Sequence, residues 1–202
     1  MELSQDTKNI LGLQLPTDPR WVDLASISIE AILTDHAYCE QKAATTCITL
    51  IQKYSDRVEL VEELSPIVTE EWGHFRAVLA ELKKRNLPLG KQRKDIYVNK
   101  LLGFQKKDGS PEQRFLDRLL IMALIEARSC ERFKVFAENM EDEELSKFYT
   151  NLMVSEANHY TVFLKFAREY QDREIVDQKW NALVAFEAEM MKERGNSAKI
   201  HG

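Results

Sequence analysis

Apolar residues recur at three- and four-residue intervals over most of the chain, the spacing that puts them on one face of an α-helix. The first such stretch runs from Trp21 to about Tyr54, behind Asp18-Pro19, a capping residue followed by proline at the first helical position. The pattern predicts a helix over about 19–54. Ser55-Asp56 interrupts it, and a second helix is expected over about 58–84, with Pro66 either kinking it or marking a frayed first turn. Residues 86–110 break the pattern with proline and glycine and leave room for one short helix near Asp95 to Leu102. Ser110-Pro111-Glu112 then opens a third long helix, over about 112–138, and Asp142 caps a fourth, over about 143–170. A further helix is expected over 173–193, stopped by Gly195 and followed by a loose tail.

Two long helices, a long crossover, two more long helices and one extra helix make an all-α chain. The arrangement expected is the ferritin-like four-helix bundle, two helical hairpins joined by a crossover, plus a C-terminal helix, in a single domain over residues 1–202. With only seven glycines and five prolines, and with Leu, Ala, Glu and Lys abundant, the composition agrees. The net charge of -5 names no partner by itself. Cys39, Cys47 and Cys130 are odd in number and lack CxxC spacing, which argues against a disulfide framework or a zinc ribbon. Reduced thiols in helical runs suit a cytoplasmic protein. The first ten residues do not resemble a signal peptide, and no apolar run reaches the roughly 18 residues of a membrane span.

The chemistry lies in four of these helices. The second contains Glu71-Trp72-Gly73-His74 and the fourth Glu156-Ala157-Asn158-His159. Residues three apart share a helix face, so each pair aims a carboxylate and an imidazole at one point. A carboxylate-bridged di-iron site needs two such pairs and one further carboxylate from the first helix of each hairpin. Glu40 lies 31 residues before Glu71, and Glu126 lies 30 before Glu156, so each is about as far before its turn as its partner is after it. The offset is 85 residues between the two ExxH motifs and 86 between Glu40 and Glu126, as in a tandem duplication of one helical hairpin. Glu126 follows the run from Leu119 to Ile125, where an isolated buried charge is prohibitively costly and metal would offset it. Glu40, Glu71, His74, Glu126, Glu156 and His159 are therefore the expected metal ligands. His36, four residues before Glu40, shares its face, and Glu70 is placed to orient a histidine from outside the ligand set. Glu131, about 140° round the helix from Glu126, is expected outside the ligand set too; its plainer reading is a salt bridge with Arg128 or Arg132.

At these residues the chain resembles a known family. DHAYCEQKAA (35–44), EEWGHF (70–75), IEARSCERF (125–133) and SEANHY (155–160) are similar to the signature blocks of the tRNA-(2-methylthio-N6-isopentenyladenosine) hydroxylases, usually called MiaE. The resemblance covers roughly residues 25–170, and IEARSCERF is its most specific part. It implies two iron ions held by the six residues above, O2 as co-substrate, electrons from an external reductase, and hydroxylation of the isopentenyl group on the adenosine just 3′ of the anticodon in tRNA. Neither DNA nor a membrane is an expected partner.

One feature points to RNA independently. Between 83 and 107 stand Lys83, Lys84, Arg85, Lys91, Arg93, Lys94, Lys100, Lys106 and Lys107 against a single acid, Asp95. Positive charge concentrated in the crossover of an acidic protein suits a phosphate-binding surface, although a solvated loop carries such charge too. Tyr97 and Phe104 are there either to stack on bases or to anchor the loop. The competing class is a ferritin- or rubrerythrin-like protein that oxidises iron or reduces peroxide with the same ligands. A metal-free helical scaffold is the third reading.

Overall fold

The structure is a computed structural model and describes residues 11–18, 20–105, 108–194 and 200. All regular structure among the described residues is helical: α1 (Arg20–Ser26), α2 (Ile29–Lys53), α3 (Val58–Lys84), α4 (Ile96–Leu102), α5 (Pro111–Asn139), α6 (Glu143–Tyr170) and α7 (Arg173–Arg194). Two long hairpins, α2–α3 and α5–α6, joined by a crossover carrying α4, give the ferritin-like order expected. Pro19, Lys106, Lys107, Gly195 and His201 lie outside the described residues. The chain forms two units, one from the described residues of 11–22 and 95–194, the other from 23–94 with Ile200.

The helix expected over 19–54 is two helices, α1 and α2, the latter in the second unit. Ser28 is extended (φ -143°, ψ 94°) and its hydroxyl accepts a hydrogen bond from the Ala31 N–H, 3.2 Å away. A serine offered that alternative to the helical ladder ends one helix and caps the next, and apolar periodicity is blind to the interruption. α3 runs unbroken through Pro66. It ends where Asn86 takes a left-handed conformation (φ 55°), with Leu87 N–H donating to Leu82 C=O and Asn86 N–H to Lys83 C=O, the paired bonds of a Schellman stop.

In the first unit, α5 begins at a capping box between Ser110 and Gln113, with Pro111 next, and α6 begins at Asp142, whose carboxylate accepts from Glu144 and Leu145 N–H at 3.0 Å. From Leu119 to Phe133 every residue of α5 is buried. A helix buried on all sides needs cover all round; within its unit α6, α7, α4 and residues 11–18 lie against it. The cover is tied down by a buried charge network. Arg128 donates to Glu187 through Nε and Nη2, both at 2.8 Å, to Glu131 through Nη1 at 2.6 Å and to the Leu15 carbonyl at 2.9 Å. Thr17 donates to Glu131 through its N–H (2.7 Å) and its hydroxyl (2.6 Å), and the Tyr97 hydroxyl donates to Glu187 (3.0 Å). Burial opposes the charge on Arg128, but Glu131 and Glu187 outweigh it and raise its pKa. Arg132 is pushed down to about 10 by burial and by the charge of Arg128. Its guanidinium lies over the Trp21 ring, 4.9 Å from the centroid.

In the irregular segment before α1, Gly12 takes a left-handed backbone conformation with φ +68°. A Cβ there would stand 2.9 Å from Trp180 Nε1. Gly12→Ala is therefore expected to lower stability by about 1–2 kcal/mol from the left-handed backbone alone, with the indole contact adding to it. A urea midpoint equal to that of the parent would show that this position tolerates a side chain.

Candidate metal centre

Each hairpin builds the same three-residue cluster. In α2–α3, Glu40, Glu71 and His74 bring ligand atoms within 4.8 Å of one another. His74 Nδ1 is 3.6 Å from Glu40 Oε2 and 3.7 Å from Glu71 Oε2. In α5–α6, Glu126, Glu156 and His159 do the same, again within 4.8 Å, with His159 Nδ1 at 3.8 Å from Glu156 Oε2. The helices place these groups for the reason read from the sequence: Glu and His three apart share a face, and the register of each hairpin brings the first-helix Glu level with them. Glu40, Glu71, Glu126, Glu156 and His159 are buried; the His74 side chain keeps 16% exposure.

The chemistry of the donors fits iron. Four carboxylates and two imidazoles are hard or borderline ligands, suited to first-row divalent ions. Two ligands bound to one such ion at about 2.0–2.2 Å stand some 3–4 Å apart, the range of the imidazole–carboxylate separations here. Two buried carboxylates within 4.8 Å repel each other, a cost that a cation reverses.

His36, fully buried, holds Glu40 Oε1 through Nε2 at 2.5 Å. The hairpin offset puts Met122 in the corresponding place before Glu126, so the two halves differ there. Cys130, read from the sequence only as a reduced thiol, lies one helical turn after Glu126. Burial, together with the nearby Glu156 and Glu131 carboxylates, pushes its thiol up to about 12, so it stays protonated at neutral pH. Glu131 lies outside the ligand set and makes the salt bridge read from the sequence: its carboxylate accepts from Arg128 and from Thr17. Glu70 is exposed, since adjacent residues lie about 100° apart on a helix and Glu71 takes the inward position.

Of the basic residues, Lys83, Lys84, Lys91, Arg93, Lys94 and Lys100 are exposed and Arg85 is half-buried. Lys84 and Arg85 pair with Glu81. Tyr97 is buried on Glu187, and Phe104 packs on Phe186 with ring centroids 5.6 Å apart, so both anchor the crossover. Among the described residues no helix is long and apolar enough to cross a membrane.

A tRNA 2-(methylsulfanyl)-N(6)-isopentenyladenosine(37) hydroxylase of Pseudomonas putida is 34% identical over 202 residues, covering 100% of this chain and 96% of that protein. One of the same description from Salmonella typhimurium is 30% identical over 213 residues, covering 81% and 77%. Among solved structures, a Synechococcus protein described as having aldehyde deformylating oxygenase activity superposes with a TM-score of 0.88 at 33% identity, covering 94% of this chain and 95% of that one. The family described as tRNA-(MS[2]IO[6]A)-hydroxylase (MiaE) matches residues 4–202, and the chain belongs to it.

Proposed function

We propose that the protein is a non-haem di-iron monooxygenase that hydroxylates the isopentenyl group of 2-methylthio-N6-isopentenyladenosine in tRNA. The observation that carries this reading is the pair of matched Glu, Glu, His clusters, one per hairpin, in a chain of this family. Glu40, Glu71 and His74 from one hairpin and Glu126, Glu156 and His159 from the other would hold two iron ions. Bound there, they supply activation of O2: one oxygen atom enters a C–H bond and the other leaves as water, with two electrons from an external reductase and two protons.

The chain's own residues prepare that chemistry. His36 fixes one oxygen of Glu40 and leaves the other toward His74, which limits how the carboxylate turns. The burial of five of the six ligands excludes bulk water and so protects a strong oxidant from discharge. A tRNA substrate also accords with a cytoplasmic location.

Mass spectrometry of tRNA nucleosides tests the reading. Cells with the protein are expected to contain the hydroxylated nucleoside, and deletion is expected to leave only its unhydroxylated precursor; an unchanged nucleoside profile rejects it. The likeness to the Synechococcus structure favours a second reading, oxygen-dependent deformylation of an aldehyde. Supplying the reconstituted protein with an aldehyde and a reductant separates the two, since only that reading yields a product one carbon shorter.

A further inference from the structure

The break between α1 and α2 has a neighbour in the crossover. The start of α2 and residues 90–93 enclose a cleft of about 330 Å³, lined by Ser28, Thr34, Gly90, Lys91, Gln92 and Arg93 among others. Its two walls are bonded together. Gly90 N–H donates to Thr34 Oγ1 at 3.1 Å, and the Tyr38 hydroxyl donates to the Gly90 carbonyl at 3.1 Å. A Cβ on residue 90 would come within 3.2 Å of Thr34, so glycine is what allows the close approach. The segment carrying the cations is therefore held against α2 and not left as a free loop.

We propose that this cleft binds a phosphodiester of the RNA substrate, with Lys91 and Arg93 as its charged contacts. Both side chains are exposed, and neither forms an ion pair among the described residues. By contrast, Lys84 and Arg85 are engaged by Glu81. Lysine and arginine are the usual contacts of phosphate oxygens. The positive end of α2 faces the same space and adds to the field, Ser28 capping it through the Ala31 N–H. Glu30 also lines the cleft and opposes an anion, so removing its charge should tighten binding.

The inference rests on the tRNA reading, and the experiment keeps their failures apart. Binding of the full-length protein to precursor-bearing tRNA is followed by fluorescence anisotropy over a series of salt concentrations. Two double variants each lose two positive charges: Lys91→Ala with Arg93→Ala, inside the cleft, and Lys83→Ala with Lys84→Ala, outside it. The cleft pair is expected to weaken binding about tenfold or more and to lower the salt slope by about one, since the two cations share one phosphate. The outer pair is expected to change affinity less than about threefold, and Glu30→Gln to tighten it. Inorganic phosphate, at constant ionic strength, should displace tRNA from the parent protein more effectively than from the cleft variant. Equal losses in the two double variants, or weaker binding by Glu30→Gln, overturn the cleft while leaving tRNA as the substrate. No binding of tRNA by the parent protein overturns the cleft and the functional reading together.

Discussion

Protein carrying Glu126→Gln is expected to lose at least about 100-fold in affinity for iron at its half of the centre, whereas Glu131→Gln keeps the parent iron content. The two glutamates lie five residues apart on a helix that is buried throughout this stretch, so burial does not separate them. Their partners do. Glu126 offers an oxygen within 4.8 Å of ligand atoms on Glu156 and His159. Glu131 spends its oxygens on Thr17 N–H, Thr17 hydroxyl and Arg128. Glutamine at 126 retains the size and one carbonyl oxygen but removes the negative charge, which supplies most of a carboxylate's affinity for a hard cation. Glutamine at 131 leaves a carbonyl for one of its donors and weakens the bond to Arg128, so it loses stability and not iron. Iron-to-protein ratios after anaerobic reconstitution, with circular dichroism to confirm the fold, distinguish the outcomes. Iron that follows residue 131 would mean that the ligand had been assigned one and a half turns too early.

Arg128→Met is expected to destabilise the protein by about 3–5 kcal/mol, the cost of leaving a buried carboxylate without its cation. Glu187 is fully buried and takes two guanidinium bonds at 2.8 Å, so the methionine variant strands it. The Tyr97 hydroxyl also donates to that carboxylate but cannot neutralise it. Pairing Arg128→Met with Glu187→Leu removes both charges and should recover much of the loss, because an apolar replacement of a buried ion pair is often close to neutral. Denaturant unfolding of the two single variants and the double one measures the coupling. Additive losses would show that the two side chains stabilise the fold independently.

The hairpins and the convergence of a Glu, Glu, His cluster in each were legible because each depends on short-range regularities. Helical spacing marked α2, α3, α5 and α6, caps at Ser110 and Asp142 marked two starts, and the repeated offset aligned Glu40 with Glu126. What escaped depends on partners distant in sequence. The salt bridge of Glu131 with a neighbouring arginine was legible, but not that all nine residues of IEARSCERF are buried, because Leu15, Thr17 and Glu187 come from elsewhere in the chain to meet Arg128 and Glu131. Nothing local distinguishes such an arginine from an exposed one. The break at Ser28 escaped for the opposite reason: one hydroxyl redirects one backbone bond, while the apolar spacing continues on both sides. Glu70 and Glu71 were separable only by helix phase, and the second of the two carries the inward position.

The Thr17–Glu131 contact spans 114 residues of sequence, and the Arg128–Glu187 contact a further 59. A chain emerging from the ribosome therefore exposes residues 11–18 long before anything exists for them to bind. At about 5–20 residues per second, several seconds pass before Glu131 follows Thr17 out, and more before Glu187 does. The Glu40, Glu71 and His74 cluster and the bonds of Gly90 to Thr34 and Tyr38 lie within residues 28–90, although Asp35 still waits for the Ile200 N–H. Synthesis thus delivers half of the candidate metal ligands early. The charge network closes only as α7 is completed, and the order in which the chain is made becomes the order in which its two halves mature.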